Sequence, residues 1–184
     1  MEASNQISHR LATNRLGLWL FFLSESFLFI ALLAARYYLQ GVRRPPELNQ
    51  LLGLAISIIL VLSSLTAYRA ELAISEGREK VFRRNILYTI GLGTLFMVGV
   101  GVEWSEGFQF FPPQTGFGTI FFTLTGFHAF HVLTGLLALV VLVLPGRRGR
   151  YTPQNYWGAE AIVKYWHFVD VVWVFIFPTL YLVS

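Results

Sequence analysis

The chain has 184 residues, of which 55% are hydrophobic and only 13% are charged, whereas an ordinary soluble domain carries about 25% charged residues. It contains no cysteine, which excludes disulfides, thiolate metal sites, iron–sulfur clusters and thiol nucleophiles. The net charge of +4 could suggest a nucleic-acid partner. Because the Lys and Arg residues stand in short blocks beside long apolar runs, we instead expect them to set membrane topology and expect no nucleic acid.

Five apolar segments are long enough to cross a bilayer core, which needs about 20 residues in helical form. In chain order they cover about residues 17–39, 48–68, 86–104, 117–144 and 159–183. The connections contain helix breakers, and Pro178 inside the fifth segment removes one backbone hydrogen bond and should kink its last turns. The sequence therefore predicts an all-α membrane protein, in which residues 1–184 form a single membrane domain with five transmembrane helices.

The basic residues predict the orientation of these helices. Eleven of the 14 Lys and Arg residues fall on one side if the N-terminus is inside the cell, and this bias favours N-terminus inside and C-terminus outside. The inner residues are Arg10, Arg15, Arg69, Arg78, Lys80, Arg83, Arg84, Arg147, Arg148, Arg150 and Lys164, and the outer ones are Arg36, Arg43 and Arg44. We expect the mixed-charge stretch 71–84 to be a solvated inner loop.

Ionisable residues within the apolar segments are the candidate functional residues. Each costs at least about 2.5 kcal/mol near the bilayer centre, so it needs a partner or a purpose. Glu25 lies about 12 Å into the first segment, counted from Gly17 at the helical rise per residue. The others are the pair His128 and His131 in the fourth segment, the pair His167 and Asp170 in the fifth, and Glu103 beside Trp104 near the outer end of the third.

Three interpretations of these residues remain open from the residues alone. They can bond across helices and hold the bundle together, or Glu25 can act as a neutral buried acid in a proton relay or gate. Alternatively, His128, His131 and His167 can bind a metal or haem. Against a metal, the Glu-x-x-His pattern of di-iron bundles is absent, and two histidines one turn apart cannot occupy opposite faces of one porphyrin.

Three blocks together resemble one protein family. The blocks WLFFLSESFLF, TGFHAFHVLTG and YWHFVDVVWVFIFPTLYL are similar to subunit III of haem–copper terminal oxidases, in the same order and over essentially the whole chain. The resemblance is to the short, five-helix form, in which the first two helices of the longer form are missing. Two positions depart from the family pattern, since Ala129 stands where Gly is usual and Trp104 where Tyr is common.

The resemblance implies a non-catalytic accessory subunit in the bacterial plasma membrane. Members of the family hold no haem and no copper, which lie in subunits I and II. We therefore expect no cofactor in this chain and no metal or catalytic residue, but we do expect bound phospholipid. The expected partners are subunit I, on which subunit III packs, subunit II, a small further subunit and membrane lipids. The expected roles are to support assembly and to sustain proton uptake during oxygen reduction.

The residues and the resemblance together assign expected roles. Glu25 is a buried, neutral carboxyl, and its counterpart in the family is known for carbodiimide reactivity. An interhelical hydrogen-bond cluster is expected from His128, His131, His167 and Asp170. Contacts to lipid or to a neighbouring subunit are expected from Arg36, Arg69, Arg84, Glu103 and Trp104, because a guanidinium matches phosphate geometry. The alternatives are a subunit accompanying nitric oxide reductase, an independent proton-linked carrier, and a haem-bearing anchor for a dehydrogenase.

Overall fold

The architecture is a bundle of five long helices. The computed structural model describes residues 2–41, 45–144 and 149–183. The helices are α1 (Glu2–Gln40), α2 (Gln50–Ser75), α3 (Glu79–Phe110), α4 (Gly116–Val143) and α5 (Trp157–Phe177), and a π-helical turn (Pro178–Leu182) follows α5. All five are long and apolar enough to cross a membrane. The prediction of an all-α protein with five spanning helices is confirmed.

Several helices extend beyond the predicted apolar segments. The first helix begins at Glu2 rather than near residue 17, because no Gly or Pro interrupts the polar stretch before Gly17. The prediction of a solvated loop over 71–84 is wrong: α2 continues to Ser75, α3 starts at Glu79, and only a short turn around Gly77 joins them. That turn needs glycine because Gly77 has a φ of 74°.

The reason for this difference is amphipathic packing. Within the stretch predicted to be a loop, Ala73, Ile74 and Phe82 are fully or almost fully buried, while the charged residues between them point outward. A charge-rich sequence can therefore continue a helix beyond the bilayer when one face carries apolar residues at helical spacing.

The end of α5 departs from α-helical geometry at Pro178. The N–H of Val183 donates to the carbonyl of Pro178 at 3.0 Å, a bond that spans five residues as in a π-helix. The missing N–H of proline thus changes the hydrogen-bond register of the final turns, in agreement with the predicted irregularity.

Helices α2, α3, α4 and α5 form the centre of the bundle, and α1 packs against α4 and α5 at its edge. Most of the large side chains on α1 face outward, including Trp19, Leu23, Phe27 and Ile30. In a membrane this exposed apolar surface is available to lipid or to another protein chain.

Small residues allow the central helices to approach closely. The indole of Trp166 on α5 lies between Gly93 of α3 and Gly135 of α4, where an added Cβ would come within 2.6 Å and 2.9 Å of the ring. Gly99 of α3 packs in the same way against Ile56 of α2. The glycines on α3 predict such contacts; Gly93 and Gly99 make them, whereas a Cβ added at Gly91 or Gly101 would meet no described atom within 4 Å.

Some residues used for the topology prediction, namely Arg43, Arg44, Arg147 and Arg148, lie outside the described residues. The remaining basic residues that were assigned to the inner side and have described side chains are Arg10, Arg15, Arg69, Arg78, Lys80, Arg83, Arg84, Arg150 and Lys164.

Candidate functional site

Helices α2 and α5 meet along a line of hydrogen bonds, which we call the α2–α5 seam. The indole N–H of Trp173 donates to Ser57 Oγ at 2.8 Å, and that of Trp166 donates to Ser63 Oγ at 3.0 Å. Ser64 Oγ lies 2.6 Å from His167 Nδ1. Short hydroxyl side chains on α2 thus satisfy the polar atoms of long aromatic side chains on α5, which would otherwise be unpaired in an apolar interior.

Asp170 lies in the same seam without a well-formed hydrogen bond. Its side chain is buried, with 5% of the residue exposed, and among the described residues neither carboxyl oxygen has a hydrogen-bond partner of good geometry. The hydroxyl of Ser64 is the polar group within reach of the carboxyl. An ionised carboxylate here would lose its hydration without compensation, so the surroundings favour the neutral acid.

Glu25 and His131 form the contact between α1 and α4. The Nδ1 of His131 lies 2.7 Å from the carbonyl of Phe127 and must donate to it, because a carbonyl only accepts. The Nε2 lies 3.2 Å from Glu25 Oε2. Either a protonated Glu25 donates to a neutral imidazole, or an imidazolium donates to the carboxylate. In both cases the pair holds one proton between two groups.

The Glu25–His131 pair lies in a groove that opens to the outside of the bundle. The side chain of Glu25 is 22% exposed in the isolated chain. The groove has a volume of about 510 Å³ and is otherwise lined mainly by apolar residues, including Phe21, Phe130 and Tyr165. The predicted buried carboxyl is therefore partly covered by this chain itself, and lipid or a neighbouring subunit would cover the remainder.

His128 occupies a cage of aromatic rings. Its ring centroid lies 4.8 Å from Trp173, 5.8 Å from Phe96 and 6.5 Å from Phe29. Both ring nitrogens are buried and lack a hydrogen-bond partner within the described part of the chain. A neutral imidazole can fill such a space as an aromatic ring, so packing accounts for its position.

One end of the bundle carries a network of charged side chains, which we call the charged end. Lys164 Nζ on α5 lies 2.6 Å from Glu160 and 3.4 Å from Glu71 on α2. Arg15 on α1 lies 3.4 Å from Glu160 and places its guanidinium over the ring of Trp157. The network connects three helices where they leave the apolar region.

The opposite end contains a buried acid. Glu103 on α3 is 2% exposed and accepts a hydrogen bond of 2.6 Å from the hydroxyl of Tyr181 in the π-helical turn. Gln50 at the start of α2 donates to the carbonyl of Tyr181 at 2.5 Å. The polar groups of α2, α3 and the final turn therefore meet around one tyrosine.

The predicted hydrogen-bond cluster is not formed as expected. His131 contacts Glu25, and His167 contacts Ser64. Within the described residues, His128 and Asp170 form no hydrogen bond to His131 or to His167. The spacing of three residues turns a helix by about 300°, so the side chains of His167 and Asp170 point about 60° apart, and each faces Ser64 of α2 instead of bonding to the other. The four residues belong to three different helix contacts.

The predicted lipid or subunit contacts divide into two groups. Arg69 and Arg84 are exposed, and Trp104 is half-buried with its N–H donated to Thr125 at 3.1 Å. Arg36 and Glu103 are buried within the bundle, and Arg36 Nη1 donates to the carbonyl of Gly41 at 2.5 Å. We therefore no longer expect Arg36 and Glu103 to bind lipid, because their own chain covers them.

Sequence reasoning did not identify Ser57, Ser63, Ser64 and Tyr181 as partners of the polar residues. Serine is common in transmembrane helices, and a serine usually bonds to the carbonyl of the preceding turn. The available signal was the spacing of seven residues between Ser57 and Ser64 and between Trp166 and Trp173, which places each pair on one helix face.

The histidines are not arranged as a metal site. Across residues 2–41, 45–144 and 149–183, no group of three or more His, Asp or Glu side chains is placed to hold a metal ion. His131 is hydrogen-bonded to Glu25 and His167 to Ser64, while His128 packs against aromatic rings. Helix packing and proton sharing are the chemistry that this donor set supports.

Comparison with known proteins identifies the family. A family model described as "Cytochrome c oxidase subunit III" matches residues 1–184. The chain belongs to the cytochrome c oxidase subunit III family. This match does not favour the carrier, the dehydrogenase anchor or the subunit of nitric oxide reductase.

Individual relatives are similar over most of the chain. The cytochrome c oxidase subunit 3 of Corynebacterium diphtheriae is 37% identical over 176 residues, which are 89% of this chain and 85% of the relative. The protein of the same name from Synechocystis is 33% identical over 178 residues, or 90% of this chain and 74% of the relative. That of Gallus gallus is 34% identical and is matched over 68% of its length.

Membership of the subunit III family and the five spanning helices identify a multi-pass membrane protein of the respiratory chain. The bacterial relatives indicate the plasma membrane as its location.

Proposed function

We propose that this chain is the non-catalytic subunit III of a haem–copper terminal oxidase, and that it packs on the catalytic subunit I and supports assembly and sustained proton uptake. The observation that carries the proposal is the family match over residues 1–184. The site geometry agrees with an accessory role, because most of the intramembrane ionisable groups, namely Glu25, His131, His167 and Glu103, serve contacts between the helices of this chain. Haem and copper would then belong to partner subunits.

The exposed faces support the partner assignment. Helix α1 contributes few side chains to the core and presents Trp19, Leu23 and Phe27 outward, as a surface for subunit I, subunit II or a small further subunit. Arg69 and Arg84 are exposed near the charged end, where their guanidinium groups suit phospholipid phosphates. These contacts would let one chain bind both protein and lipid.

Purification of the tagged chain from its native membrane tests the assignment. We expect other oxidase subunits to co-purify in mild detergent, with haem absorption in the optical spectrum. When the partners are removed with a harsher detergent, the absorption should leave with them. A colourless chain that purifies alone would contradict the proposal, and haem that stays on the isolated chain would contradict the accessory role.

We also propose that the charged end faces the cytoplasm, so that the N-terminus is inside and the C-terminus outside. The excess of Lys and Arg at this end supports that orientation. Because the chain has no cysteine, single cysteines can report the topology. We expect Gln154→Cys, near the charged end, to resist a membrane-impermeant maleimide in intact cells, and Gln114→Cys, in the opposite loop, to react. The reverse pattern would overturn the proposed orientation.

A further inference from the structure

Asp170 is the only aspartate in the chain and is not used by any contact described above. It is buried at 5% exposure, and within residues 2–41, 45–144 and 149–183 neither carboxyl oxygen has a well-formed hydrogen bond. A group that served only to hold helices together would be expected to have a partner, because an unpaired buried polar group destabilises a fold by about 1–3 kcal/mol. The position therefore points to a function for the carboxyl itself.

A chain of polar groups connects Asp170 with the charged end. Ser64 is within reach of the Asp170 carboxyl and lies 2.6 Å from His167 Nδ1. His167 and Lys164 together line a groove of about 580 Å³ between α1 and α5. Lys164 in turn pairs with Glu71 and Glu160. The groove gives His167 an open side, whereas Asp170 is enclosed.

We propose that Asp170 is a proton-exchanging acid, connected through Ser64 and His167 to the aqueous phase at the charged end. When Asp170 takes up a proton, the His167 imidazolium gives its Nδ1 proton to Ser64 Oγ while the Ser64 hydroxyl gives its proton to the Asp170 carboxylate. One proton moves in total, and an ion pair becomes a neutral histidine and a neutral acid. The proton that formed the imidazolium entered from the groove at Nε2, and it stays on Nε2 of the neutral ring. Discharge follows the same steps in reverse: the Asp170 acid returns its proton through Ser64 to Nδ1, and the imidazolium then releases the Nε2 proton to the groove.

The surrounding groups are consistent with this direction of transfer. Facing the seam are Ser64 and Glu71 from α2, His167, Lys164 and Glu160 from α5, and Arg15 from α1, while His128 of α4 lies behind the ring of Trp173. The charged groups in this set all belong to the charged end, and one turn beyond Asp170 the seam continues with the uncharged pair Trp173 and Ser57. The route therefore ends at Asp170, which would store and release protons at one face of the membrane.

Infrared spectroscopy of the full chain in lipid nanodiscs tests the proposal. Because the chain has one aspartate, incorporation of aspartate labelled with ¹³C at the side-chain carboxyl reports Asp170 alone. We expect a shifted band of a protonated carboxylic acid that disappears in Asp170→Asn and moves on transfer to D₂O as its proton exchanges. An ionised carboxylate band in place of the acid band, or an acid band that never exchanges, would overturn the proposal.

Two neighbouring serines provide a matched comparison for the route. Ser64→Ala should slow the exchange of the Asp170 band by about tenfold, the change expected when one hydrogen bond of a relay is lost, and Ser64→Thr should restore it. Ser63→Ala removes a hydroxyl that serves Trp166 and should leave the exchange rate unchanged. Equal rates in Ser64→Ala and the unmodified chain would reject the route. The measurement uses the isolated chain, so it can fail while the assignment to an oxidase holds.

Discussion

Trp166→Ala should lower the free energy of unfolding by about 3–5 kcal/mol, the range for truncation of large buried aromatic residues. Trp166 is fully buried, its ring fills the space between Gly93 and Gly135, and its N–H is bonded to Ser63. The truncation would leave a cavity at the meeting point of α3, α4 and α5, and it would remove the N–H that Ser63 Oγ accepts while that hydroxyl keeps its bond to the carbonyl of Leu60. Reversible unfolding in sodium dodecyl sulfate, followed by circular dichroism, measures the loss.

Trp19→Ala is the matched control for this variant. Trp19 is 61% exposed on α1, so the same change should alter the free energy of unfolding by no more than about 0.5 kcal/mol. A similar loss in both variants would show that tryptophan acts through contact with detergent or lipid rather than through packing between glycines.

Tyr181→Phe should lower the free energy of unfolding by about 1.5–3 kcal/mol, the range for a buried hydrogen bond to a chargeable group. The substitution keeps the ring and removes only the hydroxyl that donates to Glu103 at 2.6 Å. Glu103 would then remain buried without that donor. The same detergent unfolding assay reports the effect.

A double substitution separates this hydrogen bond from other roles of the tyrosine. Tyr181→Phe combined with Glu103→Leu should recover much of the loss, because both polar partners are removed together. Tyr165→Phe, whose hydroxyl bonds to Thr134 at 2.8 Å, is a milder comparison and should cost only about 0.5–1.5 kcal/mol. A double variant less stable than Tyr181→Phe would contradict the pairing.

The membrane architecture could be predicted from the sequence because each spanning segment is a local signal. Twenty apolar residues without a charge predict a helix whatever surrounds them, and glycines on α3 predict close packing. The helix ends were harder to predict, since polar extensions such as residues 2–16 carry no hydropathy signal.

The partners of the polar residues could not be predicted in the same way, because partner choice depends on helix rotation. The sequence places His167 and Asp170 one turn apart, but whether they meet each other or Ser64 depends on how α5 is turned towards α2. Glu25 and His131 are 106 residues apart, and no local pattern indicates that they would meet. Burial of Arg36 likewise depends on contacts between helices, such as that of its guanidinium with the ring of Phe117 on α4.

The attachment of α1 through α4 and α5 has a consequence for synthesis. Glu25 enters the membrane before His131 has been made, and Arg15 is made long before Glu160, which lies 145 residues later. The α2–α3 hairpin can close as soon as its short turn leaves the ribosome, but α1 must remain in the bilayer without partners until α4 is made, and it completes its contacts only when α5 is inserted. Until α4 is made, Glu25 has no imidazole to share its proton. Helix α1 is therefore translated before both of its partners and reaches its final position only after them.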